Sequence, residues 1–239
     1  MRRNILLSLL LALVTVSVSF SQRTAELPKF FLGASFGTSY SLSDFADTDF
    51  RNPDAGFAKN GQKIDLYGGV PLDNRLTLTG VLRYQSFATE IGDLIEAFNT
   101  ENPGADFVGS TEDWRTYYFL AGLAYRVPIK RKFALFPRFG IGPLLANNPG
   151  ISLNSPNTSI TNNFSRSSKT GFGLGLEIGI GLRTYLGRRF ALLPTFTFSG
   201  GFVTIQEVVT TTDNVVVTSN YQPVIQSFNL GISLAYRFY

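Results

Sequence analysis

The final twelve residues, Phe228 to Tyr239, alternate almost without a break. Phe228, Leu230, Ile232, Leu234, Tyr236 and Phe238 share one side, and Asn229, Gly231, Ser233, Ala235 and Arg237 the other. A period of two defines a β-strand with one apolar face. An apolar face must be covered, so one such strand demands partners, and the rest of the chain supplies them.

Seven further segments carry the same period: Phe30–Tyr40, Gln62–Leu72, Arg75–Phe87, Trp114–Pro128, Phe133–Leu145, Thr170–Leu186 and Phe190–Phe202, with the last strand opening at Pro223. The clearest sets Phe172, Leu174, Leu176, Ile178, Ile180 and Leu182 against Gly171, Gly173, Gly175, Glu177, Gly179, Gly181 and Arg183. Connections alternate in length. Asp73–Asn74, Ile129–Lys132 and Gly187–Arg189 are hairpin-short. Ser41–Gly61, Ala88–Asp113, Ala146–Lys169 and Val203–Gln222 are long and polar. Eight antiparallel strands with short turns at one end and long loops at the other form an up-and-down barrel of the transmembrane type.

Alternation alone leaves open whether the apolar face points inward or outward. Charged residues are only 16% of the chain while Phe occurs 22 times, lean in charge for a water-facing skin. The polar faces are glycine, alanine, serine and threonine with sparse arginines, which suit the narrow interior of an eight-stranded barrel. Tyr84, Tyr125, Phe133, Phe190, Phe198, Tyr236 and Phe238 lie near strand ends on the apolar side, as headgroup-level girdles do. The apolar face therefore meets lipid, and the first strand must pair with the last, because an open edge in hydrocarbon leaves backbone groups unsatisfied.

Arg2 and Arg3 precede an apolar run from Ile5 to Phe20, with Ser19 and Ser21 preceding Gln22. That pattern predicts a cleaved signal peptide over residues 1–21 and a barrel domain over residues 22–239. No later stretch approaches the apolar length of a membrane-spanning helix. Losing Arg2 and Arg3 leaves 21 − 2 = 19 basic residues against 17 acidic ones, a balance that gives no reason to expect a nucleic-acid partner. Cysteine is absent, which removes disulfides and thiol chemistry.

Taken together, the chain resembles the small porin-like outer membrane protein beta-barrel domain family. The residues that carry the likeness are the alternation Gly171–Arg183 and the ending Leu230, Ile232, Leu234, Tyr236 and Phe238. That ending is similar to the family's C-terminal assembly signal, and departs from it in that Tyr239 follows the expected terminal Phe. The resemblance implies outer-membrane lipid and lipopolysaccharide as surroundings and the barrel assembly machinery as the insertion partner. It also implies a monomer with long loops extracellular and both mature termini periplasmic.

Inward positions collect Lys63, Asp65, Arg75, Arg83, Arg126, Arg138, Glu177, Arg183 and Arg237. Such a lumen cluster reads either as an anion-favouring path or as a structural network of paired charges, since buried unpaired charge is costly. Histidine is absent, which removes Ser–His and Asp–His catalysis. The glycine run shares one strand face and is no phosphate loop. No cofactor is expected. The expected role is structural or surface interaction through the loops, without catalysis. The alternatives are a narrow channel for small, anionic solutes and a membrane subunit of a secretion or assembly complex. A weak repeat, Arg131–Pro137 against Arg188–Pro194, sets a proline inside each of two strands, where a bulge or local distortion is expected. Ile91–Phe98 is expected to form a short helix in the second loop.

Overall fold

The computed structural model describes residues 28–49, 51–52, 54–130, 132–157, 164–212 and 215–239. The signal segment lies outside them. The described residues are mostly β: β1 (Phe30–Ser41), β2 (Ala58–Pro71), β3 (Leu76–Thr89), β4 (Val108–Thr111), β5 (Trp114–Tyr125), β6 (Val127–Lys130), β7 (Phe133–Asn147), β8 (Ile151–Asn154), β9 (Phe164–Arg166), β10 (Thr170–Leu186), β11 (Phe190–Thr212), β12 (Val215–Tyr221) and β13 (Val224–Phe238), with one α-helix among them, α1 (Gly92–Glu101).

Eight of these strands close a ring in the order β1, β2, β3, β5, β7, β10, β11, β13, every neighbour antiparallel. Closure is made by β1 and β13, paired from Phe30↔Phe238 to Ser41↔Ser227, so no edge faces hydrocarbon. The terminal alternation is thus half of the closing seam.

The size of the barrel follows from the register. Stepping across paired residues from Phe31 leads to Gly69, Thr79, Gly122, Gly140, Glu177, Ser199, Ser227 and back to β1 at Ser41. The walk returns 41 − 31 = 10 residues further along the strand. Eight strands with a shear of ten, at ordinary strand spacing and rise, tilt by about 40° and enclose a cylinder of radius about 8 Å. That bore is just wide enough for side chains from opposite walls to meet. Nearly every residue on this path is glycine, serine or threonine, which keeps one oblique belt of the interior free for the longer side chains.

The outward face is the apolar one. Leu66 is 59% exposed and Phe172 63%, whereas Lys63 and Gln85 on the opposite face are fully buried. The interior also holds large rings and aliphatics, which seat over glycines. A Cβ added at Gly175 would come within 2.7 Å of the Tyr118 ring, one at Gly69 within 2.8 Å of Phe31, and one at Gly33 within 2.7 Å of Tyr67. The glycines of the polar face are therefore the sockets for the rings of the same face.

The expected bulges at the prolines take a milder form. β7 pairs with β10 without interruption through Pro137, but its ladder with the preceding strand stops at Ala124↔Arg138 and resumes at Val127↔Leu135. β11 pairs with β13 through Pro194, but its ladder with β10 skips from Gly181↔Thr195 to Thr184↔Leu192. The register is the same on both sides of each gap. In a strand each residue directs its N–H to one neighbour only, so a proline deletes rungs on one side and leaves the other intact. Both prolines of the repeat turn their missing donor toward the preceding strand. Where the expected fourth strand crosses this point it divides into β5 and β6.

The long connections depart most from expectation. The segment Val203–Gln222 is not a loop: β11 runs on to Thr212 and folds back as β12, with an irregularity between Ile205 and Val208. Beside this arm, β9, β8 and β4 pair in turn, making a second sheet beyond the barrel mouth. The helix forms as α1, starting one residue later than expected and ending at Glu101. It packs Leu94, with Ile95 and Phe98 beside it, on a separate small core of Ile91, Phe107, Ile151 and Leu153.

Candidate functional site: a filled lumen beneath a folded platform

The lumen is arranged in layers, each set by the position of inward residues along the strands. At the long-loop end the first connection bends over the mouth through a 3-10 turn at Ser43–Ala46. Phe45 enters the bore there and meets Phe87 at 5.1 Å and Trp114 at 5.3 Å between ring centroids. The Trp114 indole N–H donates to the Gly56 carbonyl at 2.7 Å, and the Tyr221 hydroxyl donates to the Ala55 carbonyl. Two donors thus bind the first connection down as an aromatic lid, with Phe45 and Trp114 each 1% exposed.

Below the lid lies an uncharged polar layer. The Gln85 amide donates to Ser39 Oγ at 2.8 Å and Asn229 Oδ1 at 2.7 Å, Ser39 donates to the same Asn229 oxygen, and Asn229 Nδ2 reaches Ser199 Oγ at 3.1 Å. Ser39, Asn229 and Ser199 stand on the adjacent strands β1, β13 and β11, and Gln85 reaches Ser39 and Asn229 from β3 through the bore.

The next layer holds the charges. Lys63 Nζ meets Asp65 Oδ2 at 2.6 Å, and Arg83 Nε meets Asp65 Oδ1 at 2.7 Å. The other side of the Arg83 guanidinium pairs with Glu177 and donates to Ser199 Oγ at 2.6 Å. Arg138 Nε reaches Glu177 Oε1 at 2.8 Å. The result is one chain of opposite charges, Lys63–Asp65–Arg83–Glu177–Arg138, strung from β2 and β3 across to β10 and β7. Three cations and two anions leave the chain at +1. Shared Arg83, with two carboxylates on its fork, is the arrangement in which guanidinium exceeds ammonium.

The remaining members of the sequence-derived cluster sit elsewhere. Arg183, closer to the turn end, is buried against rings, its guanidinium 3.6 Å from the Phe136 centroid and 4.7 Å from that of Phe31. No carboxylate pairs with it among the described residues. A cavity of about 20 Å³ beside Arg183 and Arg138 has room for about one water. Arg126 and Arg237 lie at the turn-end opening, over the Tyr185 ring, at 5.7 and 4.6 Å. Arg75 does not belong to the lumen at all: it lies at the turn rim, donating to the Tyr125 hydroxyl at 3.1 Å, because its strand begins only at Leu76. Sequence reasoning missed the lid and the amide layer. Neither Phe45 nor Gln85 interrupts a pattern or completes a motif, and only the closed register brings Gln85 to Asn229.

The loop acids spread over the platform and its surroundings, and no three of them converge among the described residues. Asp47 is held below the ordinary carboxylate range by the Asn52 side-chain amide and the Asp49 backbone N–H. The platform exposes Val215, Val216 and Val217 on β12 and Val108 on β4. The terminal strand sets Leu230, Ile232, Leu234 and Phe238 outward, while Tyr236 stacks edge-on against Phe190 and Phe238.

The model of the outer membrane protein beta-barrel domain family matches residues 8–238. The chain belongs to this family. It is an outer-membrane β-barrel. No curated protein matches it. Among solved structures it is similar to Ail, the attachment invasion locus protein of Yersinia pestis, at 15% identity and a TM-score of 0.47, covering 89% of this chain and 99% of that one. It is similar to a major outer membrane protein of Thermus thermophilus at 14% identity and a TM-score of 0.48, covering 87% and 99%. The outer membrane protease OmpT of Escherichia coli overlaps at 9% identity and a TM-score of 0.47, covering 93% and 100%. At such identity and overlap these likenesses carry no function to the present chain.

Proposed function

We propose that this barrel serves as a rigid outer-membrane mount for a surface-interaction platform, and that it neither catalyses a reaction nor passes solute. The observation that carries the reading is the filled bore. Lys63, Asp65, Arg83 and Glu177 are each at most 2% exposed, and a lid of Phe45 and Trp114 lies above them. A water-filled path would instead leave inward charges solvated. What the chain builds with its long connections is a second sheet with its own core. In this reading the platform faces outward amid lipopolysaccharide, the turn end and both mature termini face the periplasm, and the chain is a monomer inserted by the barrel assembly machinery through its last strand.

Planar-bilayer recordings of the reconstituted chain test it. The expected trace has no single-channel steps. Steps that shrink in Arg138→Ala and Arg183→Ala would replace the proposal with an anion path. A surface protease added to intact cells is expected to cut within the long connections; cutting at the short turns instead would invert the assigned orientation.

A further inference from the structure

At the turn end, Arg188 and Arg189 close the β10–β11 hairpin, where Gly187 takes the left-handed conformation with φ of +76°. Arg237, near the end of β13, is locked beside them: its backbone N–H donates to the Arg189 carbonyl at 2.8 Å and its Nη2 to the Gly187 carbonyl at 2.8 Å. Tyr239 lies across the hairpin, its hydroxyl donating to the Arg188 carbonyl at 2.9 Å. These side chains, with Tyr236 and Phe238, border an open groove of about 390 Å³. Among the described residues, Asp73 is the sole acid in the short turns, and its carboxylate is taken up by the Arg75 and Leu76 backbone N–H groups.

We propose that this groove binds an anionic phospholipid of the leaflet at the turn end, its phosphate against Arg188, Arg189 and Arg237. Three features select that occupant. Three arginines border one groove, and a phosphate accepts from several guanidinium donors at once. The groove's outer wall is Phe238, stacked on Phe30 at 4.3 Å, at the aromatic level where headgroups lie. Directly beyond that wall the exposed Leu234 and Ile232 continue along β13 as a track for an acyl chain. A soluble anion would use only the first feature. The lipid uses all three. The site goes beyond the surface role proposed above and stands whether or not the platform has a partner.

Native mass spectrometry of the purified full-length chain in neutral detergent tests the proposal, with phosphatidylglycerol, phosphatidylcholine and inorganic phosphate added in separate arms. Phosphatidylglycerol is expected to stay bound in preference to phosphatidylcholine. Each arginine replaced by glutamine is expected to weaken it roughly fivefold, the scale of one basic side chain at an anionic surface. Heat-modifiable electrophoretic mobility reports whether Arg188→Gln/Arg189→Gln/Arg237→Gln remains a barrel; if it does not, Arg189→Gln alone carries the test. Equal retention of both lipids, retention unchanged in the variant, or displacement of phosphatidylglycerol by millimolar phosphate would each overturn the assignment.

Discussion

Glu177→Gln removes one of the two anions from the buried charge chain and leaves its shape almost unchanged. Arg83 keeps Asp65 and Ser199 after the substitution, but Arg138 loses the carboxylate 2.8 Å away, and the five-group chain moves from +1 to +2. An ion pair at about 4 Å between charge centres is worth about 4 kcal/mol at an effective dielectric near 20. Breaking buried pairs costs about 3–5 kcal/mol. Arg138 is 11% exposed and recovers some hydration, so the lower end applies, about 3 kcal/mol. Trp114, the single tryptophan, sits in the lid and reports unfolding by fluorescence. With a urea slope of about 2 kcal/mol per molar, the midpoint in lipid vesicles should fall by about 1.5 M. The cycle completed by Arg138→Met is expected to recover part of that loss, because the double variant no longer strands a cation. A midpoint unmoved by Glu177→Gln would refute the reasoning, since it would mean that water already solvates Arg138 and the bore is wet.

Three further outcomes follow from the same packing. Gly175→Ala drives a methyl to 2.7 Å from the Tyr118 ring and should cost about 1–3 kcal/mol by urea unfolding, with Tyr118→Val as a second-site rescue. Leu153→Ala hollows the platform core, where Leu153 is fully buried, at a local cost of at least about 2 kcal/mol; hydrogen exchange of α1 should rise by at least about 30-fold while the urea midpoint of the barrel stays put. Asp73 is held below its ordinary range by the Leu76 and Arg75 backbone N–H groups, so its contribution to the hairpin is present above pH 3.8 and is lost as pH falls through the lower folded value. An NMR titration placing the Asp73 carboxyl at or above 3.8 would contradict that geometry.

The membrane-facing half of this protein was legible because lipid imposes a local rule. Every outward position must be apolar and every second residue is outward, so Phe172 to Leu182 declare their face without reference to any other strand. The platform obeys no such rule. Val215, Val216 and Val217 are all exposed and alternate with nothing, and β4, β8 and β9 are stretches of three or four residues whose pairing depends on where the barrel holds their ends. Arg75 was misplaced for the opposite reason. At a strand end the period of two continues on paper into a turn, where it no longer fixes a direction. The pairing of Glu177 with Arg83 was readable only as composition, because β10 reaches β3 across the bore and not through the sheet; Arg138 is on β7, the sheet neighbour of β10.

The same bore explains why glycine and arginine occur together inside it. A shear of ten fixes the radius at about 8 Å, so opposite walls compete for one space. Where Gly122, Gly140 and Ser199 line the register path, the walls withdraw and the long side chain of Arg83 spans the gap to Glu177, the carboxylate it shares with Arg138. Where the walls carry Tyr67, Tyr118 and Leu144, glycines on facing or adjacent strands receive them. A guanidinium is the side chain that can cross such a bore, satisfy two acids and stay charged while doing so. An apolar filling of equal volume would hold the barrel as firmly, as buried ion pairs seldom outdo well-packed hydrophobes. The charged chain adds geometry instead: Arg83 fits only if β2, β3, β10 and β11 stand in one register, since Asp65, Glu177 and Ser199 must reach it together. A slip of one residue would turn those partners out into lipid, which makes the network a check on register at the stage when the strands close.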